Sequence, residues 1–409
     1  MKKLLLLALA AVPFVMSAQG PVPAEVESLT EGWKVTEGLP AGANARWATA
    51  VDGKFYLRTR PNEIVEVFDQ NGKAGEIAST ASTFAISRDE AGNVIVFEGG
   101  AWPAGIFTPN DETGAPVDQL RIIPADGSEP FVIPVDFTDI TGFANGRSDY
   151  VGWAEGDIMD YGVFYAATNG DTQIWAFIFS EGEVVQILPL TVSDSGAGIQ
   201  VGNQSPVTAF TNAAGDVQLI NYVRSGNPVL FDINYNDVGD PVSVTGKTLN
   251  TQAEGRTNLY GVTPFSIGGF NLVIFPSGAA ANTYADAFKI AELTADGGFN
   301  VIYESAQTLA DNALNNSGSC SEVFVVEPDP TSKVQAKIYQ YAPGNYVRCL
   351  NLRLKHQVTA INTVDAQKTV SSVRYYNLQG VSSATPFDGM NIVVNTYSDG
   401  SRQASKLVK

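Results

Sequence analysis

Residues 84–97 read FAISRDEAGNVIVF, which is an apolar strand, a polar turn and a second apolar strand. The same strand-turn-strand pattern recurs in residues 149–167, DYVGWAEGDIMDYGVFYAA, and in residues 206–222, PVTAFTNAAGDVQLINY. Short apolar or alternating runs separated by Gly, Asn and Asp turns predict β-strands joined by hairpins. No sustained helical period of apolar residues occurs between Gly20 and Lys355, so we expect this part of the chain to be all-β.

A second recurring turn sets the period of the chain. Six acidic or polar Gly turns have glycines at positions 72, 127, 182, 239, 297 and 344, which lie 55, 55, 57, 58 and 47 residues apart. A period near 55 residues with four strands per unit is typical of a β-propeller blade. Six units predict a six-bladed β-propeller, and we expect the stretch containing Gly32–Val35 to supply a strand that closes the ring beside the last blade. A β-sandwich array or a β-helix is the alternative fold.

The charge balance and the scarcity of histidine exclude several classes of function. The 409 residues include 25 Lys and Arg, 43 Asp and Glu and one His, and the net charge is −18. Binding to nucleic acid or to an anionic membrane needs clustered Lys and Arg, so we expect neither partner. A single histidine cannot form a His-pair zinc centre, and the sequence has no phosphate-binding loop, dinucleotide fingerprint or Gly-x-Ser-x-Gly elbow. We therefore predict no cofactor and no metal site.

The N-terminus has the features of a secretory signal peptide. Lys2 and Lys3 precede the apolar run Leu4–Val15, and Ser17 and Ala18 form a small-residue cleavage site. The apolar run is too short to span a bilayer as a mature helix, and an uncleaved N-terminal anchor is the alternative. We expect residues 1–18 to be removed and the mature chain to be exported without a transmembrane span.

The distribution of charge divides the exported chain near residue 355. Residues 351–409 contain seven Lys and Arg against three Asp and Glu, whereas residues 19–350 contain 16 against 40. Such a change of sign marks a boundary between two units. We predict the propeller over residues 19–355, a linker over 356–370 and a C-terminal β-module over 371–409.

The C-terminal module carries the most specific motifs of the sequence. It contains a Tyr-Asn-x-x-Gly segment, a strand that begins with Gly, an Asp-Gly hairpin and a final strand with lysines. The residues concerned are Tyr376, Asn377, Gly380, Gly389, Asp399, Gly400, Lys406 and Lys409. The module resembles the C-terminal sorting domain of Bacteroidota proteins that are exported through the type IX secretion system.

This resemblance implies a partner and a destination. Tails of this family are recognised by the secretion machinery, which delivers the protein to the outer-membrane surface or to the extracellular space. The stretch after Lys355 is shorter than the complete β-sandwich usual in the family, and an ordinary small β-module without a sorting role is the alternative. The propeller part resembles the uncharacterised exported propellers common in Bacteroidota, a resemblance that implies no activity.

Three arginines precede alternate units of the repeat. Arg46, Arg147 and Arg256 stand before the first, third and fifth units. If they face one central funnel, they would bind a carboxylate or sulfate bidentately. The alternative is that each arginine joins neighbouring blades through a carboxylate such as Asp149.

The longest inter-strand connection, residues 98–117, offers a second candidate site. It contains Trp102, Asp111 and Glu112. An exposed Trp beside carboxylates can stack against a sugar ring while the carboxylates bind its hydroxyl groups. A tryptophan packed in the core or between blades is the alternative.

Both cysteines fall in the last unit. Cys320 and Cys349 are 29 residues apart, and an exported chain meets an oxidising compartment, so a disulfide is one prediction. Two buried free thiols are the alternative, because spacing alone does not show that the Cα atoms lie within bridging distance.

These features favour an exported, non-catalytic propeller at the cell surface or outside the cell, which binds a glycan or a protein or acts as a scaffold. The alternative is a carbohydrate-active enzyme, a glycosidase or lyase with its site in the funnel. A pair of funnel carboxylates, one with a raised pKa, opposite an Arg or Trp would favour the enzyme. A structural component of a secreted matrix would instead self-associate through exposed blade edges.

Overall fold

A computed structural model shows six four-stranded blades of a β-propeller, followed by one further four-stranded sheet near the C-terminus. No helix occurs among the residues that the structure describes. The described residues are 23–41, 45–59, 64–78, 83–99, 118–135, 152–166, 174–193, 207–221, 228–237, 241–249, 262–276, 286–294, 299–306, 308–309, 324–355, 370–377, 382–397 and 402–409. The predicted all-β class and six-bladed propeller are confirmed.

Blades 1 to 5 each take four consecutive strands of the chain. Blade 1 contains β2 (Ala45–Val51), β3 (Lys54–Thr59), β4 (Ile64–Asp69) and β5 (Gly72–Ala78). Blade 2 contains β6 (Thr83–Arg88), β7 (Val94–Gly99), β8 (Asp118–Ile123) and β9 (Phe131–Val135). Blade 3 contains β10 (Glu155–Asp157), β11 (Tyr161–Ala166), β12 (Ile174–Ser180) and β13 (Glu183–Ser193). Blade 4 contains β14 (Val207–Thr211), β15 (Val217–Asn221), β16 (Val229–Tyr235) and β17 (Pro241–Thr248), and blade 5 contains β18 (Thr263–Ile267), β19 (Phe270–Pro276), β20 (Phe288–Leu293) and β21 (Phe299–Glu304).

Blade 6 combines the two ends of the propeller sequence. Its first three strands are β22 (Phe324–Pro328), β23 (Gln335–Ala342) and β24 (Tyr346–Leu354), and its fourth is β1 (Val26–Val35), which runs antiparallel to β24. This confirms that the stretch containing Gly32–Val35 closes the ring.

Opposite charges line the closing pair of strands. Arg353 Nε lies 2.6 Å from Glu27 Oε2, and Arg348 Nη1 lies 3.7 Å from Glu31 Oε2. Lys355 follows β24 and pairs with the Glu25 carboxylate just before β1. Each exposed pair contributes little alone, but together they favour one register.

The irregular last spacing of the repeat follows from this closure. The turn glycines Gly72, Gly127 and Gly182 lie at or between the third and fourth strands of blades 1 to 3 and have positive φ, which glycine tolerates best. The glycines of the fourth and fifth turns lie outside the described residues. Gly344 lies instead between β23 and β24, the second and third strands of blade 6. Because the fourth strand comes from the N-terminus, the sixth turn is not equivalent to the others, and the spacing shortens.

The first strands of the blades surround the propeller axis. β2 contacts β6 and β22, β14 contacts β10 and β18, and β18 contacts β22. β6 and β10 meet through a parallel bridge between Asp89 and Ala154. The first strands therefore form a closed ring, and the turns between first and second strands gather at one end of the axis, which we call the hairpin face.

The middle strands are apolar on both faces because each blade packs between two others. In β12, Trp175, Phe177 and Phe179 belong to a core shared with blade 2. The alternate residues Ile174, Ala176 and Ile178 belong to a core shared with blade 4. This is why β12 is a continuous apolar run rather than an alternating one.

Blades 3 and 4 are also joined at the perimeter. Their outermost strands β13 and β17 pair in parallel over Thr191–Ser193 and Ser243–Thr245. The two blades thereby form one eight-stranded sheet, which holds them together by backbone hydrogen bonds as well as by packing.

The C-terminal sheet has the order β26-β25-β27-β28. Its strands are β25 (Val370–Tyr376), β26 (Ser382–Ser383), β27 (Met390–Tyr397) and β28 (Arg402–Val408). The side chain of Asn391 is fully buried: it accepts from the Phe387 N–H at 2.7 Å and donates to the carbonyls of Phe387 and Gly389, both at 2.9 Å.

Within the described ranges, no helical segment is long and apolar enough to cross a membrane.

Gly152 lies where blades 3 and 4 approach each other closely beside the axis. A Cβ at this position would lie 2.2 Å from the carbonyl oxygen of Val207 and 2.4 Å from the Cα of Thr208, both backbone atoms of blade 4. We expect Gly152→Ala to destabilise the fold by about 3 kcal/mol or more, because backbone must shift. The measurement is urea unfolding followed by tryptophan fluorescence.

The matched control is Gly75→Ala on β5. A Cβ there meets nothing within 4 Å and the residue has no positive φ, so its free energy of unfolding should stay within about 0.5 kcal/mol of the parent. Equal unfolding midpoints for the two variants would contradict this packing.

Candidate functional site

A cavity of about 1190 Å³ lies at the hairpin face. We call it the axial cavity, because every blade contributes to its lining. Blade 1 contributes Val51 and Asp52, and blade 2 contributes Arg88, Glu90 and Gly92. Blade 3 contributes Trp153, and blade 4 contributes Phe210, Thr211 and Ala213. Blade 5 contributes Phe265 and Phe270, and blade 6 contributes Val326, Glu327 and Lys333. The cavity exists because the ring is closed, and it is large enough for a small-molecule or oligosaccharide ligand.

The walls of the axial cavity are mainly apolar and aromatic. Phe210 and Phe265 are buried, and Trp153 and Phe270 are half-buried. The two half-buried rings, Trp153 and Phe270, present apolar surface to the cavity while the rest of each ring packs against the core. The arrangement suits a ligand with an apolar ring face.

Arg88 is the central charged group of the cavity. Its side chain is 8% exposed, and its Nη1 donates to Glu327 Oε1 at 2.6 Å and to the Ala50 carbonyl at 2.8 Å. Its Nε donates to the Asp89 carbonyl at 3.1 Å. The guanidinium also stacks over the Trp153 ring, 4.6 Å from the ring centroid. Arg88 therefore connects blade 2 with blades 1, 3 and 6.

Hydrogen bonds between blades hold the opening of the axial cavity, which we call the mouth, in place. Glu90 accepts from the Thr211 hydroxyl at 2.7 Å through Oε1 and from the Gly156 N–H at 3.0 Å through Oε2. The Ala213 N–H donates to Asn271 Oδ1 at 2.6 Å. These bonds link blades 2, 3, 4 and 5, so the lining is held by the same contacts that close the ring.

One carboxyl near the cavity has a strongly shifted pKa. Burial raises the pKa of Glu155 to about 7, and the nearby charge of Glu90 adds to the shift against the opposing effect of a hydrogen bond from Tyr165. The Tyr165 hydroxyl donates to Glu155 Oε2 at 2.8 Å. Glu155 is not one of the cavity-lining residues, because it points toward the tyrosine of the core shared by blades 3 and 4.

Of the six residues predicted to bind ligand, the structure describes only the backbone of one. Arg46 lies in β2, next to the axis, and its side chain falls outside the description. Arg147, Arg256, Trp102, Asp111 and Glu112 all lie outside the described residues. Whether they share one funnel stays a prediction.

The cysteine and tail predictions are placed only in part. Cys349 lies buried on β24, where burial raises the pKa of its thiol to about 11. Cys320 lies outside the described residues. The disulfide therefore stays a prediction. Within the tail, Tyr376 ends β25, Asn377 follows it, Gly389 precedes β27 with φ +98°, and Lys406 lies in β28 just before the exposed Lys409. Gly380, Asp399 and Gly400 are outside the description.

Sequence reasoning missed the residues that build the axial cavity. Arg88 ends the apolar strand of FAISRDEAGNVIVF, and a cation at the end of such a strand was the available signal. Glu327 and Trp153 carried no comparable signal, because their proximity to Arg88 depends on ring closure. No cluster of three metal-ligating side chains occurs in the part of the chain that the structure describes.

Comparison with known proteins supports the fold and assigns no family. No protein-family model and no curated protein matches the chain. Among solved structures, a DUF4623 family protein from Bacteroides eggerthii has a TM-score of 0.51 and 14% identity over 82% of this chain and 77% of its own. The chain is therefore similar in fold to that Bacteroides protein.

Two further matches are weaker. A streptogramin B lyase has a TM-score of 0.41 and 13% identity over 80% of this chain and 98% of its own. A protein of unknown function from Bacteroides caccae has a TM-score of 0.37 and 11% identity over 68% of this chain and 92% of its own.

The raised pKa of Glu155 predicts a pH-dependent stability. The pKa rises from 4.5 to about 7 in the folded state, so folding takes up a proton between these values and the free energy of unfolding falls as the pH rises through this window. Above it, the folded state carries the full cost of a buried charge. Glu155→Gln removes that cost and should raise stability at pH 8 by up to about 3 kcal/mol, with little change at pH 5.

Urea unfolding at pH 5, 6, 7 and 8 measures this effect. Glu183→Gln, which removes an exposed carboxylate from the same blade, is the matched control and should keep the parent's pH dependence. A Glu155→Gln profile parallel to the parent's would show that Glu155 titrates normally.

Proposed function

We propose that this chain is an exported, non-catalytic binding or scaffold protein that takes a glycan or protein ligand into the axial cavity. The observation that carries the proposal is the cavity itself, since all six blades contribute to its lining and blades 3, 4 and 5 place aromatic side chains in it. Binding sites are typically such preformed apolar concavities with a few placed polar groups. The fold alone assigns no function.

The state of the charged groups supports binding rather than catalysis. Arg88 is already paired with Glu327, and the two oxygens of Glu90 accept hydrogen bonds from blades 3 and 4. A general acid or base must reach the reacting atoms of its substrate. Groups committed to holding the ring together are poorly suited to that task.

One observation favours the alternative, a glycosidase or lyase with its site in the funnel. Glu90 and Glu155 interact, Glu155 has a pKa of about 7, and Arg88 and Trp153 stand nearby on the cavity wall. A carboxyl group with a raised pKa beside a second carboxylate is a pattern used in acid–base hydrolysis. The separation of Glu155 from the cavity lining weighs against this alternative.

Ala213→Trp tests whether the ligand enters the axial cavity. Ala213 is an exposed lining residue, so a Trp there fills the mouth without disturbing the core. Ala214→Trp is the matched control, because Ala214 is exposed and adjacent but does not line the cavity. The protein tested is the chain from residue 19 onward. We expect Ala213→Trp to lower its affinity for a bound glycan at least about tenfold, whereas Ala214→Trp should leave that affinity unchanged.

The assay is a glycan array with mass spectrometry of every bound glycan. Equal binding by both variants would place the ligand elsewhere. A cleaved product would overturn the non-catalytic role in favour of the enzyme, and the absence of any bound glycan would leave a protein ligand.

We also propose export by a type IX-like route through the C-terminal module. The support is its motif set together with the compact antiparallel sheet centred on the buried Asn391. A fluorescent reporter carrying residues 356–409 behind a signal peptide should reach the medium or the cell surface of a bacterium that has this machinery.

The matched variants for the export test lie on one strand. Asn391→Ala removes the buried hydrogen bonds, so we expect it to abolish surface delivery, whereas Asn395→Ala on the same face of β27 should not. Delivery that is equal with and without the module would contradict a sorting role.

A further inference from the structure

Resting on the proposed function, we infer that the axial cavity binds a neutral, hydroxyl-bearing sugar in preference to an anionic one. Arg88 is the group of the cavity that would first be expected to attract an anion. Its hydrogen bonds, the charges around it and the aromatic walls of the cavity favour a neutral ligand instead.

The guanidinium of Arg88 has donor capacity that faces the cavity. The hydrogen bonds to described residues use Nε and Nη1, and none of them uses Nη2. Nη2 lies toward Gly92, where an added Cβ would stand 3.9 Å from it and 3.1 Å from Val51 Cγ1. Only a residue without a side chain fits between these groups. Both Gly92 and Arg88 line the cavity, so the Nη2 side of the guanidinium adjoins the space that a ligand acceptor would enter.

The charge of Arg88 is already neutralised. The Glu327 carboxylate lies 2.6 Å from Nη1 and also accepts the Asp52 N–H at 3.0 Å. A second anion beside Nη2 would be attracted by Arg88 but repelled by Glu327 and by the carboxylates of Asp52 and Glu90 at the mouth. A hydroxyl or carbonyl oxygen accepts the same hydrogen bond without that repulsion.

Two lysines at the cavity wall do not reverse this balance. Lys355 is paired with Glu25, and Lys333 faces the mouth together with Asp329. The lining therefore contains four carboxylates against three cationic side chains, one of which is neutralised from outside the cavity. The mouth disfavours a net negative ligand.

The walls select the rest of the ligand. Phe270 and Trp153 offer partly exposed ring surface, and Thr211 and Ser266 add hydroxyl groups at the same rim. A pyranose has an apolar face of C–H groups and an equatorial edge of hydroxyls, which matches an aromatic wall beside a neutralised donor.

The test compares neutral sugars with their acidic counterparts on the full exported chain. Lactose, cellobiose and maltose are each titrated beside the form that carries a C6 carboxylate on the non-reducing sugar, using calorimetry. We expect at least one neutral disaccharide to bind about tenfold more tightly than its uronate. The binding should be lost with Ala213→Trp and kept with Ala214→Trp.

Glu327→Gln supplies the decisive variant. It keeps an oxygen that can accept from Arg88 and Asp52 but removes the neutralising charge, so the preference should shift by about tenfold toward the uronate. Its folding is checked by urea unfolding, and the comparison on the parent chain stands without it. A parent that prefers the uronate, with binding sensitive to Ala213→Trp, would overturn the inference and leave cavity binding intact. Binding of none of these disaccharides in either form would contradict both this inference and a glycan-binding cavity.

Discussion

The ion pair between Arg88 and Glu327 is the interaction on which the centre of this protein depends. It joins blade 2 to blade 6 across blade 1, and the same guanidinium bonds to blade 1 and stacks on Trp153 of blade 3. Both partners are largely withdrawn from water, so the loss of either would leave a buried charge, which typically costs several kcal/mol. The pair thus ties the ring together and sets the electrostatics of the space that the ring encloses.

The end of the axis that carries the cavity is built from short, well-held turns. Glu90, Asn271 and Glu327 each accept a backbone N–H from a neighbouring blade, and these bonds leave the lining little freedom. A binding surface fixed in this way loses little entropy when a ligand arrives. The Arg and Trp residues singled out from the sequence belong mainly to inter-strand connections, whereas the described cavity is lined by hairpin turns and the first strands.

The fold could be predicted from the sequence because its signals are local. Turn glycines such as Gly72 and Gly182 recur at a nearly constant period, and apolar strands flank each of them. The shorter spacing before the last turn glycine also has a physical cause. Gly344 lies between the second and third strands of blade 6, whose fourth strand is β1. The site could not be predicted in the same way. Arg88 and Glu327 are 239 residues apart, and only the closed ring shows that they meet.

The pairing of β1 with β24 has a consequence for when the ring can close during synthesis. The partners Glu27 and Arg353 are separated by 326 residues, so the first strand to be synthesised has no partner until nearly the whole propeller sequence is available. Pairing over such a distance in sequence is slow, because the entropy of closing the loop is lost before the contacts form. The placement of β1 therefore delays completion of the ring until the last blade has been synthesised.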